Sequence, residues 1–310
     1  MKHQKHTHTR LLAVLLLLVV LMGCGSAGQM ERKEMTIPDG AKISYLGPQG
    51  TYTEEATQLF FGDAAFFMPK GTVEEAIADL TAGEADFAVI PQENTLGGAV
   101  TNYVDALIAQ EGVCVVGEVV LPISQTLMAL PGAAIENVKT VYSHAQGLKQ
   151  SEAWRKEHMP NAAAEEMGST AAAASFVAES GDKTIAAIAA PGAAALYGLE
   201  VLAENVQITD ANRTRFYVLS AEKPLESGHT NAVLVATCEA GCIDDIIVEI
   251  HNAGLELVTI HDRPEGSRLG SYHYIIEVEN RDCITKKQSD RIKDLSDVRF
   301  VGCFDVLDVQ

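Results

Sequence analysis

The chain has 310 residues, of which 47% are hydrophobic, and this composition excludes a protein that is mainly disordered. Its formal net charge of −19 argues against nucleic-acid binding, because phosphate binding depends on clustered lysine and arginine. An anionic small molecule remains a possible ligand, since one local arginine can outweigh distant charges that salt screens beyond about 10 Å. We therefore expect a globular protein of two or three compact units.

The first residues are typical of an export signal. Three basic residues precede an apolar run over residues 11–22, which is shorter than the ~20 residues that a membrane-spanning helix needs. The run ends in Leu21-Met22-Gly23-Cys24, which resembles a bacterial lipoprotein box with an acylated Cys24. The sequence therefore predicts a signal peptide over 1–23, a tether over 24–40 and a lipid anchor on the extracytoplasmic face of the cell membrane. Ordinary secretion with an unmodified cysteine is the alternative.

Five cysteines lie beyond this predicted anchor, and an odd number does not suit a framework of disulfides. They are Cys114, Cys238, Cys242, Cys283 and Cys303. Cys238 and Cys242 are spaced like metal ligands, but no second cysteine pair or pair of histidines follows at the spacing of a zinc site. The sequence therefore predicts buried free thiols, no metal and no cofactor.

Strand and helix patterns alternate from residue 42 onward. Residues 42–46 form an apolar strand pattern, and a turn that contains Thr51 leads into a helix. Thr72 and Glu75 have the spacing of a capping box at the start of a second helix. Phe87–Ile90 is apolar enough for a strand that is buried on both faces. This alternation is typical of an α/β domain with a largely parallel sheet.

Polar side chains follow that third strand at its carboxyl end, where α/β proteins place their ligands. Glu93, Asn94 and Thr95 lie there, shortly before Gly98. Thr95 could instead cap a helix that begins near Val100, but helix capping does not account for the glutamate. We therefore expect this loop to form part of a ligand site.

A strand pattern over residues 113–120 precedes a second group of strands and helices, so we expect the chain to enter another lobe there. Ser143 opens a helix that carries Gln146, Gln150 and Trp154. The two glutamines are four residues apart and share one face of that helix.

Ser169 and Thr170 cap the helix that follows, and Gly198 is placed to end a later one. Hydroxyl groups and helix N-termini are natural sites for carboxylates. Four loops supply them, at Thr51, at Glu93–Thr95, at Ser143 and at Ser169–Thr170.

The stretch Asn212–Phe216 places an amide, two guanidinium groups, a hydroxyl and an aromatic ring at the start of the apolar strand pattern Tyr217-Val218-Leu219. Taken alone, it is typical of a basic strand entry in which Asn212 begins a turn.

Taken in order, these motifs resemble those of the prephenate dehydratase family over nearly all of the chain after residue 40. The motifs are Gly47–Thr53, Pro91–Thr95 with Gly98, Tyr142–His144 with Gln146 and Gln150, Ser169-Thr170, Tyr197–Leu199 and Asn212–Phe216. The family usually has an aliphatic residue where this chain has Gln92. The resemblance implies a catalytic domain over 41–222 with two lobes, similar to periplasmic binding proteins.

The resemblance also implies the reaction, in which prephenate loses carbon dioxide and its ring hydroxyl to give phenylpyruvate in phenylalanine biosynthesis. Thr214 would donate to the leaving hydroxyl, with Glu93 and Asn94 as the other catalytic residues. The implied substrate-binding residues are Thr51, Thr95, Ser143, Gln150, Ser169, Thr170 and Arg215. Arg215 could equally be a structural partner of a buried carboxylate. Arogenate as the substrate, or a non-catalytic ligand-binding lipoprotein, are the alternatives.

Residues 230–310 follow the order strand, helix, strand, strand, helix, strand, which is ferredoxin-like. They resemble an ACT domain, a module that commonly binds an amino acid and joins subunits. The resemblance implies a homodimer or a dimer of dimers, with phenylalanine as a weak effector. The implied regulatory residues are Gly241, Cys242, Arg263 and Pro264. Because the residues that flank them depart from the family's pattern, an interface module without a ligand is an equal alternative.

Overall fold

The computed structural model describes residues 35–63 and 65–309, which lie in one compact unit. The predicted signal peptide and Cys24 are outside the described residues. Within the described ranges, no helix is both long and apolar enough to cross a membrane.

The strands of the described residues are β1 Lys42–Leu46, β2 Phe66–Lys70, β3 Phe87–Asn94, β4 Gly98–Ala99, β5 Cys114–Pro122, β6 Thr126–Ala129, β7 Thr140–Ser143, β8 Ala163–Glu166, β9 Ile185–Ala189, β10 Glu200–Ala203, β11 Arg213–Ser220, β12 Asn231–Glu239, β13 Glu256–Pro264, β14 Ser271–Glu279, β15 Val298–Phe304 and β16 Val306–Asp308. The helices are α1 Tyr52–Phe61, α2 Val73–Ala82, α3 Thr101–Ala109, α4 Ala145–Gln150, α5 Glu152–His158, α6 Thr170–Ser180, α7 Pro191–Tyr197, α8 Cys242–Asn252 and α9 Lys286–Lys293.

The first lobe is built on a sheet with the strand order β16-β5-β11-β3-β1-β2, and β4 pairs with β3. The first three strands of the chain are parallel, whereas β11 runs antiparallel between β3 and β5. Helix α2 begins as predicted, because the Thr72 hydroxyl accepts a hydrogen bond from the Glu75 N–H. The predicted capping box is wrong in its second half, since the Glu75 carboxylate accepts from the Gly71 N–H one residue earlier.

The second lobe has the strand order β10-β6-β9-β7-β8, and the chain enters it after β5 and leaves it before β11. The helix predicted to carry both Gln150 and Trp154 is interrupted at Ser151, whose hydroxyl donates to the Gly147 carbonyl. The Ser169 hydroxyl caps α6 as predicted, and Gly198 ends α7 in the left-handed conformation at φ 67°.

The C-terminal domain has the predicted βαββαβ order and the strand order β13-β14-β12-β15. One face of its sheet contributes Val233, Ile275 and Phe304 to a core that it shares with the first lobe. The approach is close at Gly302, where a Cβ would lie 2.2 Å from the Val115 carbonyl oxygen. The strand predicted to reach Val306 ends earlier, and β16 instead pairs in parallel with β5 of the first lobe.

The expectation that the later cysteines are all free is wrong for two of them. Cys238, at the end of β12, forms a disulfide with Cys242, the first residue of α8. Cys114 and Cys303 are buried free thiols, as predicted, and Cys283 is half-buried.

Candidate active site

A cleft of about 710 Å³ is lined by residues of both lobes, and it has the size of a small-molecule site. Its polar lining side chains include Thr51, Lys70, Asn94, Gln125, His144, Gln146, Gln150, Ser169, Thr170 and Thr214. Most of the residues predicted from the sequence to bind or convert a substrate are therefore brought together in one place.

Thr214 and Asn94 are directly opposite each other on β11 and β3. The Asn94 side-chain oxygen accepts hydrogen bonds from the backbone N–H groups of Leu96 and Gly97, each at 3.0 Å. Because these two donors fix the orientation of the amide, its Nδ2 must donate, and it does so to Thr214 Oγ1 at 2.9 Å. The Thr214 oxygen is thus an acceptor toward Asn94, and its own hydrogen is free to point at a ligand in the cleft.

A chain of amides extends from this pair. Asn94 also donates to the side-chain oxygen of Asn212 at 2.8 Å, and Asn212 in turn donates to Gln150 at 3.0 Å. Gln125 donates to the same Gln150 oxygen at 3.1 Å, and Gln146 donates to Asn94 at 2.9 Å. Hydrogen bonds across the cleft therefore hold the two lobes together around Thr214.

The roles of Asn212 and Gln125 in this network are not among the predicted ones. Asn212 is buried, although the sequence alone is compatible with a turn at this position. It belongs to the same motif, Asn212–Phe216, that identified Thr214. The sequence gives no indication that Gln125 belongs to the site, because its pattern predicts only a strand after the chain enters the second lobe.

Two long helices begin at the cleft. Thr51 caps α1 and Ser169 caps α6, and both residues line the cleft. The first turn of α1 carries Glu54 and Glu55, whereas the first turn of α6 carries no acidic residue. A helix N-terminus attracts anions, so the start of α6 is the better place for a carboxylate. Lys70 also lines the cleft and pairs with Asp79 at 2.5 Å.

Four predicted site residues do not line the cleft: Glu93, Thr95, Ser143 and Arg215. The Thr95 hydroxyl donates to the carbonyl oxygens of Ala211 and Arg213, and it caps no helix, since α3 begins after Val100 without a side-chain cap. The buried Ser143 hydroxyl donates to the Ile188 carbonyl. Thr95 and Ser143 thus support the backbone around the cleft.

Arg215 points away from the cleft into a group of carboxylates. Its guanidinium donates to both carboxylate oxygens of Glu118 at 2.7 Å and to Glu277 of the C-terminal domain at 2.6 Å, while Glu93 lies at 3.5 Å. This arrangement favours the structural role for Arg215 over substrate binding. Burial, followed by the charge of Glu277, raises the pKa of Glu118 to about 7.

The residues predicted to bind an effector lie at the start of α8 and on β13 of the C-terminal domain, and their role stays a prediction. Gly241 precedes α8, Cys242 is part of the disulfide and Pro264 is the last residue of β13. Arg263 makes two hydrogen bonds, of 2.6 and 2.8 Å, with the Asp105 carboxylate on α3 of the first lobe.

The two-lobed α/β fold forms a cleft with a positioned hydroxyl and a helix N-terminus free of acidic residues, and this combination suits a protein that binds small carboxylates. Within the described ranges, no group of three or more histidine, cysteine or acidic residues is arranged to hold a metal.

Comparison with known proteins identifies the family. The prephenate dehydratase family model matches residues 43–224. A prephenate dehydratase of Lactococcus lactis is 33% identical over 279 residues, which cover 86% of this chain and 98% of that protein. The chain therefore belongs to the prephenate dehydratase family, and the predicted family, fold and lyase activity are confirmed at that level.

Two further relatives show how far the similarity extends. A bifunctional chorismate mutase/prephenate dehydratase of Neisseria gonorrhoeae is 36% identical over 239 residues, which cover 76% of this chain and 66% of that protein. This chain thus spans about two thirds of the bifunctional relative. The crystal structure of an Arthrobacter aurescens prephenate dehydratase in complex with L-Phe superposes with a TM-score of 0.76 at 30% identity. That superposition covers 85% of this chain and 90% of the other.

Proposed function

We propose that the cleft binds prephenate and converts it to phenylpyruvate, water and carbon dioxide, as a step of phenylalanine biosynthesis. The observation that carries this proposal is the Thr214 hydroxyl. Its oxygen accepts from Asn94, its hydrogen is free, and it lies in the cleft.

The reaction needs one proton donor and a fixed substrate. The bond between the ring and its carboxylate breaks, and that electron pair enters the ring while the bond to the ring hydroxyl breaks. The departing oxygen takes one proton, which the surrounding solvent supplies in the overall balance, and leaves as water. Thr214 donates a hydrogen bond to this oxygen, and the bond strengthens as negative charge develops there, which is electrostatic preorganisation. Aromatisation of the ring supplies the driving force.

Prephenate carries two carboxylates, and the cleft offers an anion site at the start of α6, where Ser169 and Thr170 line it. Gln146 and Gln150 line the cleft from the second lobe. Arogenate differs only in an amino group in place of the keto group, and it is the alternative substrate.

The test is an ultraviolet assay of phenylpyruvate formation by the wild type, Thr214→Ala and Thr214→Ser, with prephenate and separately with arogenate. Thr214→Ala should lower kcat by at least ~10²-fold, whereas Thr214→Ser keeps the hydroxyl and should retain most activity. Circular dichroism checks that both variants fold. A Thr214→Ala enzyme with near-wild-type turnover would refute the role of Thr214.

We also propose that the chain is a lipid-anchored protein on the extracytoplasmic face of the cell membrane. Support comes from the sequence Leu21-Met22-Gly23-Cys24 after an apolar run. Two or more acyl chains give a stable anchor where one is marginal. Lipid labelling should be lost in Cys24→Ala, and labelling that persists in this variant would rule the anchor out.

For the C-terminal domain we propose an ACT-like role, as a dimer interface with at most weak phenylalanine binding. The Arthrobacter aurescens relative forms a complex with L-Phe, which supports phenylalanine as a ligand of this family. The disulfide at Cys242 and the pairing of Arg263 with Asp105 argue against tight binding in this chain. Calorimetric titration with phenylalanine and light scattering test the two halves. A low-micromolar Kd would refute weak binding, and a monomer would refute the interface.

A further inference from the structure

The Glu277 carboxylate is fully buried in the second half of β14, at the boundary between the C-terminal domain and the first lobe. Four side chains donate to it. They are Arg215 at 2.6 Å, Tyr217 at 2.8 Å, Asn231 at 3.2 Å and Gln92 at 3.3 Å. Three of these donors belong to the first lobe, on β3 and β11, which are the two strands that carry Asn94 and Thr214.

The donor on β3 lies at an irregularity of the sheet. Opposite β11, Glu93 pairs with Arg215, and the next pair joins Pro91 to Phe216, so Gln92 is the extra residue of a β-bulge. Bulges change the direction in which the following side chains point, and Asn94 follows two residues later. The side chain of this bulge residue is fully buried and donates to Tyr217 and Glu277. Glu277 therefore helps to fix the bulge from which Asn94 projects.

The donor on β11 is the immediate neighbour of Thr214. The Arg215 guanidinium is held on one side by Glu118 of β5 and on the other by Glu277 of β14. Because the backbone between Arg215 and Thr214 is a single peptide unit, the position of this guanidinium restricts the position of the Thr214 hydroxyl. The C-terminal domain thus contacts both catalytic strands through one carboxylate.

Building on the proposed function, we propose that Glu277 is a positioning residue for the dehydration reaction. It holds the Gln92 bulge and the Arg215 side chain so that Asn94 and Thr214 meet at hydrogen-bond distance. Under this proposal the C-terminal domain takes part in the reaction without touching the substrate.

Removal of the charge of Glu277 should not leave a buried cation unpaired, because Arg215 keeps the Glu118 carboxylate as its counter-ion. Unpaired buried charges are what make such substitutions severely destabilising. The Glu277→Gln side chain has the same shape, but one of its two terminal atoms is a donor, so part of the four-donor arrangement is lost. The fold should therefore survive while the catalytic strands lose their fixed spacing.

The charges around Glu277 also provide a signature in the pH profile. The titratable groups of this cluster and of the elements packed against it are Glu93, Tyr103, Glu118, Arg215, Tyr217, His261 and Asp262. The charge of Glu277 is one cause of the raised pKa of Glu118. In Glu277→Gln the pKa of Glu118 should fall, so we expect any limb of the kcat profile that follows the protonation of Glu118 to lie at lower pH than in the wild type.

The experiment measures kcat, KM and the pH profile of the full chain with prephenate for the wild type, Glu277→Gln, Gln92→Leu and the double variant. Glu279→Gln is the matched control, because it makes the same change on the same strand two residues away. We expect Glu277→Gln to lower kcat roughly ten- to a hundredfold, with KM changed less than about threefold. Gln92→Leu should lower kcat too, and the double variant should lose less than the product of the two single effects.

Each outcome of this experiment either supports or overturns the positioning role of Glu277. A Glu277→Gln enzyme whose kcat and pH profile match those of Glu279→Gln overturns the inference, as does a strictly multiplicative double variant. If Glu277→Gln does not fold, Gln92→Leu decides alone, and an unchanged kcat in it overturns the inference. A wild type that does not turn over prephenate overturns the proposed function, and this inference with it. An active wild type whose variants behave as described above overturns this inference alone, so the two failures are distinguishable.

Discussion

Thr214 is a weak acid, and its neighbours direct its hydroxyl hydrogen rather than make it more acidic. The backbone N–H groups of Leu96 and Gly97 donate to the Asn94 side-chain oxygen and so fix the orientation of its amide. The amide Nδ2 then donates to the Thr214 oxygen, which leaves the hydroxyl hydrogen directed elsewhere. Preorganised donors of this kind stabilise developing charge without reorganisation during the reaction. Under the proposed function, we therefore expect the side chain of Asn94 to matter for catalysis as much as the threonine that it orients.

Asn94→Asp tests this polarity. The substitution replaces the donor Nδ2 by an oxygen that faces Asn212 Oδ1, the Arg213 carbonyl and Thr214 Oγ1. The Thr214 hydrogen would then point at the new carboxylate and away from the ligand. We expect kcat to fall by about 10²-fold or more, although the threonine is intact. Asn161→Asp makes the same change in charge away from the cleft and should be silent in the same assay. Comparable turnover in the two variants would contradict the mechanism.

At the residue scale, the sequence predicts the cleft well where a residue's role depends only on its motif. Thr51, Asn94, Gln150 and Thr214 all line it. Arg215 and Glu93 do not, and the reason is the strand geometry, since successive side chains of a strand point to opposite faces. If Thr214 and Asn94 face the cleft, their immediate neighbours on β11 and β3 face away. The motif alone does not carry that information.

At the scale of elements, Arg215 of β11 connects two sheets. Its partners Glu118 and Glu93 lie on the neighbouring strands β5 and β3, and its partner Glu277 lies on β14 of the C-terminal sheet. Burial lowers the pKa of Arg215, but the hydrogen bond and charges of the glutamates outweigh burial and raise it above its usual value. Arg215 thus stays charged, and any proton that the cluster takes up goes to a carboxylate.

The stability of the protein should therefore depend on pH near neutrality. The pKa of Glu118 is raised from 4.5 to about 7 in the folded protein. A raised pKa means that the folded state holds this proton more tightly than the unfolded state. The resulting stabilisation is complete below pH ~4.5 and is lost as pH rises through ~7, and it amounts to about 1 to 3 kcal/mol.

Urea unfolding between pH 5 and pH 8 measures this effect as the difference between the wild type and Glu118→Gln. The wild type should lose stability relative to the variant as pH rises, because the glutamine does not titrate. Parallel curves for the two proteins would show that Glu118 does not take up the proton.

The elements themselves follow from hydrophobic periodicity and caps, which is why the strands and helices around the cleft occur where the sequence predicts them. The interruption at Ser151, the bulge at Gln92 and the strand β16 are among the features that were not predicted. Each depends on partners that are distant in the chain or on local side-chain hydrogen bonds that compete with the helix. Gln92 is polar where an apolar strand residue is usual in the family. Its partner Glu277 is 185 residues away in the chain, so the local sequence does not indicate why a polar residue is placed there.

At the scale of the whole molecule, the C-terminal domain and the first lobe share one core, and the last strand of the chain joins the sheet of the first lobe. Val233, Ile275 and Phe304 pack with Tyr217 and Leu219 in that core. The chain then crosses back, and β16 covers the edge of β5. An exposed strand edge is a template for pairing with another chain, so the last residues protect the sheet that carries Thr214.

A chain that ends after Asp305 tests this role, and it keeps the hydrogen bond from the Thr230 N–H to Asp305. It loses the pairing of β16 with β5, the hydrogen bond from the Val309 N–H to the Val120 carbonyl, and the partners of Arg213 at Asp308 and Val309. A few net hydrogen bonds are worth about 1 to 3 kcal/mol, so we expect Tm to fall by roughly 2 to 10 °C. Because Arg213 precedes Thr214, kcat should fall as well.

The full-length variant Asp308→Asn separates the strand from the ion pair. The Arg213–Asp308 pair is half exposed, and such pairs contribute about 0 to 1 kcal/mol, so this variant should keep nearly all of its stability and activity. Calorimetry gives Tm, and light scattering detects the association that an uncovered β5 edge should cause. If the truncated chain matches Asp308→Asn in Tm, kcat and oligomeric state, then β16 does not protect the sheet. A truncated chain that alone loses stability and associates would show that backbone pairing across the domain boundary, and not the surface ion pair, holds the end of the chain on the catalytic sheet.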